Sequence, residues 1–205
     1  MIFNHLIPFS RIVLLTLICA ATASRSVAQV DTSSLRITVE EFIGHIAAGN
    51  LARTVDYLPE EVFELADKAQ IVAAIEMTMA DPTTAPRMGA MTIDSIGASF
   101  EDSSGAYALV YYGYTMHLPV PEDVRSDSSS LQLMAAMLEN SLGSRPEFKP
   151  QTSEFRILGS KRLLGILSDK TPDWKLIEFA PQQMGMIRAV LPEATLNELQ
   201  KLSDQ

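Results

Sequence analysis

Apolar residues recur every three or four positions over residues 35–50. Leu35, Val39, Phe42, Ile43 and Ile46 form one stripe with polar residues between them. This spacing predicts a helix, capped by Ser33 or Ser34 and ended by Gly49-Asn50. A second helical piece is expected over residues 51–57, running into Leu58-Pro59. Residues 59–65 read as a short helical turn, with Glu60 and Glu61 at the front, where the helix dipole favours acids. Over residues 67–79, Ile71, Ile75 and Met79 again share a stripe, and Asp81-Pro82 closes that helix.

The period then changes from about 3.6 to 2. Residues 91–100 predict a strand with Met91, Ile93 and Ile96 inward. Residues 101–105 are a turn, so the next run, 106–118 (AYALVYYGYTMHL), should return as the second arm of an antiparallel hairpin. Pro119 and Pro121 end it. A strand alternates its faces. One face of this run carries Ala108, Val110, Tyr112, Tyr114 and Met116; the other carries Tyr107, Leu109, Tyr111, Thr115 and His117. Neither face is polar throughout, which predicts a central strand covered on both sides. Residues 121–151 form an insertion. Within it, Ser128–Ser130 should cap a helix over 131–142, and Gly143 stops it. Residues 155–158 and 161–167 predict one long strand with a bulge at Gly159-Ser160. A turn at 168–172 leads to a last strand at 173–179, and two short helices follow at 182–190 and 192–202. The fold class is therefore α+β: N-terminal helices packed on an antiparallel sheet of about four strands, with a helical insertion and short C-terminal helices.

The beginning of the chain departs from this pattern. Residues 1–11 end in a cation, residues 12–23 are nearly all apolar, and small-residue sites follow at Ala21-Thr22-Ala23 and Ser26-Val27-Ala28. That is the plan of a secretory signal over residues 1–28, cleaved after Ala23 or Ala28. The apolar run of about 12 residues is short of the roughly 18–20 that span a bilayer. The mature chain, 29–205, is expected to be one domain in the periplasm or outside the cell, with no transmembrane span. The sole cysteine, Cys19, lies in the leader, so no disulfide, thiolate nucleophile or thiolate metal site is expected. Removing the leader's two arginines from sixteen cations leaves fourteen against twenty-five acids, a net −11. An acidic exported protein repels nucleic acid and anionic lipid.

Several stretches together resemble the NTF2-like (cystatin-type) α+β cone, and more narrowly exported NTF2-like proteins of Bacteroidetes. They are Thr54-Val55-Asp56-Tyr57-Leu58-Pro59-Glu60-Glu61-Val62-Phe63, the helix over 68–79, Ser160-Lys161-Arg162-Leu163-Leu164-Gly165-Ile166, Asp173-Trp174-Lys175-Leu176-Ile177-Glu178, and the tail over 187–192. The resemblance covers most of residues 35–202. It implies a curved sheet wrapped on a helix with a pocket inside the cone. It implies no single activity, because the fold hosts isomerases, dehydratases, binding modules and transport factors alike. The insertion at 131–142 is additional to the minimal cone and is expected at the pocket mouth or in a dimer contact.

The side chains expected to line such a pocket are Phe42, Ile46, Tyr57, Tyr112, Tyr114 and Trp174. Catalytic candidates are Asp56, Tyr114 and His117, because enzymes of this fold pair an acid with a histidine or tyrosine in the cone; His45 is a further candidate. The alternation of 106–118 puts His117 on the face opposite Tyr114, which weighs against that set. Neither a Gly-rich phosphate loop nor GxSxG nor HExxH is present, and no metal or cofactor is expected. The leading expectation is a non-catalytic module binding an apolar small molecule or a partner protein, with a homodimer through the sheet. The alternative is a lyase or isomerase of the dehydratase or ketosteroid-isomerase type.

Overall fold

The computed structural model describes residues 30–203, apart from residue 82 and the side chain of residue 98; the expected leader lies outside the described residues. Helix α1 (Ser33–Ala47) comes first, then α2 (Leu51–Thr54) continued by a 3-10 turn at Val55–Tyr57, α3 (Val62–Leu65) and α4 (Lys68–Met79). Strands β1 (Arg87–Asp102) and β2 (Gly105–Pro119) follow. The insertion holds α5 (Glu122–Arg125), α6 (Ser128–Leu142) and β3 (Glu147–Lys149). Strands β4 (Glu154–Ser168) and β5 (Lys175–Glu178) then lead to α7 (Met184–Val190) and α8 (Glu193–Ser203). Every strand pairing among the described residues is antiparallel, giving an open α+β sheet ordered β1-β2-β4-β3. It has five strands rather than four, because β3 within the insertion pairs the start of β4 while β5 pairs its end.

Strand β2 is central. It pairs with β4 in one unbroken register from Gly105↔Ser168 to Pro119↔Glu154. The bulge expected at Gly159-Ser160 is therefore absent. Gly159 serves another purpose: it lies directly across from Tyr114, and a Cβ there would stand 2.5 Å from the phenol oxygen. The glycine lets the Tyr114 ring lie over β4. The bulges are in β1 instead, where the register slips between Met88 and Met91, Ile93 and Ser95, and Ile96 and Ser99. Each adds a residue to β1, bends it and strengthens the local twist.

The two faces of β2 enter different cores. Ala106, Ala108, Val110, Tyr112 and Tyr114 pack with Leu35 and Val39 of α1, Leu163 and Trp174. Tyr107 and Leu109 pack with Leu164, Ile166 and the C-terminal helices through Ile187, Leu196 and Leu199. Coverage on both sides follows the alternation read from the sequence. Helix α6 seals the far end of the α1 face, where Leu131, Met134 and Leu138 meet Phe155 and Ile157.

The caps differ from expectation. Ser33 and Ser34 lie inside α1, and Ser34 Oγ instead accepts a 2.9 Å hydrogen bond from Trp174 Nε1. Asp127, not a serine, caps α6, accepting from the N–H groups of Ser129 and Ser130, both at 3.1 Å. Asp67 caps α4 in the same way through Ala69 N at 2.7 Å.

Candidate functional site

The α1 face of the sheet is filled at one end by Leu35 and Trp174, which press on Gly165, and at the other by α6. Between these plugs it is open. A cleft of about 390 Å³ lies there, walled by Phe42 and Ile46 of α1, Ile75 and Met79 of α4, and Met88 and Met91 of β1. Its floor carries Tyr112 and Tyr114 of β2 and Lys161 of β4, and Glu178 stands beside them.

Strand register brings the polar floor together. Tyr112 is paired directly with Lys161, and Tyr114 with Gly159 two residues along the same face. Lys161 Nζ donates to Glu178 Oε2 at 2.8 Å and sits 5.9 Å from the centre of the Tyr114 ring. The two tyrosine rings are 6.4 Å apart and tilted by 45°. Tyr112 is 5% exposed and Tyr114 6%. Among the described residues neither phenol has a hydrogen-bond partner, and no fully sealed side-chain N or O lacks one. The two hydroxyls therefore open onto the cleft. Burial pushes the Tyr112 phenol well above the ordinary tyrosine value, and the nearby charge of Glu178 and the Tyr114 phenol push it further. Tyr112 is a neutral donor across the whole physiological range.

Of the expected lining residues, Phe42, Ile46, Tyr112 and Tyr114 line the cleft. Tyr57 does not. It packs edge-on against Phe42 with ring centres 5.6 Å apart, behind the wall rather than in it. Trp174 is core: it is buried beside Leu35 and Gly165 and held through its indole N–H by Ser34. A lone tryptophan just before an edge strand finds a partner for its one donor at the helix start and has none to offer a ligand.

The catalytic candidates do not meet. Asp56 lies on the surface, bonded by Lys68 Nζ at 2.7 Å and flanked by Arg53 at 3.3 Å. The Lys68 hydrogen bond, against a smaller cost of burial, holds its carboxyl below the ordinary value. His117 is on the opposite face of β2 from Tyr114. Its Nδ1–H donates to Glu154 Oε1 at 2.8 Å, while Arg87 Nη2 donates to Oε2 of the same carboxylate at 2.5 Å. Burial raises the Glu154 carboxyl, but hydrogen bonds from His117, Thr152 and Arg87 overcome it and leave the group below its ordinary value. His45 ends α1 with its ring 5.9 Å from that of Tyr57. Among the described residues, no three His, Cys, Asp or Glu side chains are grouped to hold a metal ion.

Lys161 and Glu178 were not anticipated. Their signal was present: counting back by two from Leu167, Gly165 and Leu163 puts Lys161 on the inner face. The expected bulge at Gly159-Ser160 obscured how that face continues. No protein-family model, curated protein or solved structure matches the chain.

Proposed function

We propose that this chain is an exported, non-catalytic binding module of the NTF2-like type whose cleft takes an apolar small molecule. The observation that carries this reading is the open gap in an otherwise filled face. Leu35, Trp174 and α6 close the sheet on either side of it, and the gap itself is walled by Phe42, Ile46, Ile75, Met79, Met88 and Met91. Its volume lies within the roughly 300–1,000 Å³ of small-molecule sites, and such sites combine apolar walls with a few converging polar groups. Methionines adapt their shape to a guest more readily than branched side chains. The bulged, bent β1 and the helix laid on the sheet agree with the cone that the sequence resembles, and the leader pattern agrees with export.

Asp56 and His117 take no part. Both are bonded to other side chains away from the cleft. The test is a titration with a neutral apolar fluorophore, N-phenyl-1-naphthylamine, against the wild type and Met91→Trp. The wild type should give saturable enhancement at one site, and the variant, with an indole in the gap, should lose most of it. Equal signals from the two proteins would place the dye elsewhere and defeat the reading.

A further inference from the structure

The cleft's polar floor restricts what the guest carries. We propose that the ligand is an uncharged apolar molecule bearing one hydrogen-bond-accepting oxygen, a ketone or ester, held by the hydroxyls of Tyr112 and Tyr114; this rests on the cleft being the binding site.

The first argument is charge. Lys161 and Glu178 are the only ionisable acid or base among the cleft's lining residues, and they are bonded to each other at 2.8 Å. Nothing is left over to neutralise a charged guest, and burying an unpaired charge is costly. A carboxylate would also face Glu178, and an ammonium would face Lys161.

The second argument is the donors. Tyr112 and Tyr114 are only 5% and 6% exposed, their hydroxyls have no partner among the described residues, and what exposure those oxygens have is onto the cleft. Both belong to the floor of the same cleft, on adjacent positions of one strand face. A phenol that stays protonated donates most readily to a lone pair. Lys161, whose ammonium has three donors and spends one on Glu178, stands beside them. A pure hydrocarbon would bury these groups unsatisfied, and an acceptor oxygen would satisfy them.

The third argument is the walls, which are mostly aliphatic and thioether side chains with the ring of Phe42. They fit the apolar body of such a molecule, and outside the floor the polar side chains of the lining are Thr54, whose hydroxyl donates to Leu51 O at 2.6 Å, and Gln183.

Four matched naphthalenes test this by calorimetric titration of the full chain at neutral pH: 2-acetylnaphthalene, 2-ethylnaphthalene, 2-naphthoate and 2-naphthylmethylamine. The ketone should bind at least about fivefold more tightly than the ethyl compound, the gain of one or two net hydrogen bonds. In the double variant Tyr112→Phe/Tyr114→Phe, which keeps both rings, the ketone should lose its advantage over the hydrocarbon, binding more weakly than to the wild type while the hydrocarbon binds at least as tightly. Equal affinity of ketone and hydrocarbon for the wild type would overturn the proposal and leave the apolar cleft standing. So would a ketone advantage that survives in the double variant, or tightest binding by the carboxylate or the amine. Failure of all four to bind would overturn both the proposal and the cleft reading beneath it.

Discussion

Strand β2 carries two polar clusters, one on each face, and they differ in one respect. On the outer face, His117 and Arg87 are both bonded to Glu154, which is only 8% exposed and receives a donor on each oxygen. On the inner face, Lys161 and Glu178 bond each other, but the Tyr112 and Tyr114 hydroxyls beside them have no partner among the described residues. Histidine with a carboxylate is the more reactive-looking combination, yet it is the closed one. A buried polar group that is fully partnered holds strands together. One that is unpartnered beside a cavity is available to something else.

The largest effect should come from breaking the closed cluster. Glu154→Ala removes a buried carboxylate that ties β1, β2 and β4 together and should cost about 2–3 kcal/mol in urea unfolding, the scale of hydrogen bonds to a charged group. The loss of a mere surface pair would be below about 1 kcal/mol and would remove the contrast. Acid should act through the same group. Glu154 has a folded-state value below its unfolded one, so its stabilisation is complete above the ordinary carboxyl range and is lost as pH falls through the lowered value. Glu154→Gln should flatten that part of the stability–pH curve as pH falls through and below the ordinary glutamate value, compared with the wild type under identical salt.

A smaller effect is expected at Gly159. Its added Cβ would meet the Tyr114 ring at 2.5–2.7 Å, so Gly159→Ala should cost about 1–3 kcal/mol by overpacking and swing the ring into the cleft. Gly159→Ala/Tyr114→Ala should recover part of that stability, because the clash is with this one side chain. Independent, additive losses would show that the glycine serves the backbone instead. The smallest change in stability belongs to the inner cluster. Tyr112→Phe deletes a hydroxyl that has no hydrogen-bond partner among the described residues and should shift unfolding by less than about 0.5 kcal/mol. A large loss would mean that the hydroxyl has a structural partner after all.

Much of this arrangement was legible in the residues. The stripe of Leu35, Val39, Phe42, Ile43 and Ile46 marked α1, and the alternation of residues 106–118 marked a strand covered on both sides. It also separated His117 from Tyr114. What stayed hidden depends on partners distant in sequence. Met88, Met91, Ile93 and Ile96 all turn to the α1 core at intervals of three, two and three. That spacing fits no regular strand, and it follows from bulges in two of the three intervals. Gly159 looked like a bulge because a glycine in a strand often is one; only the register with Tyr114 shows a ring lying across it. The serines before α1 and α6 looked like caps, but Asp127 outcompeted those of α6 with two oxygens, and Ser34 was claimed by Trp174, 140 residues away. The closed state of the His117 cluster could not be read either, since Glu154 reaches it from the start of another strand.

The central claim is that the gap between Trp174 and α6 is kept open for an apolar guest. Native mass spectrometry of the protein purified from its own source tests it most directly, with Met91→Trp prepared in parallel. The account predicts that the wild type carries a small-molecule adduct that solvent extraction identifies as neutral and apolar, and that the variant carries none. A bare mass for both proteins after purification under mild conditions, or the same adduct on both, would contradict it.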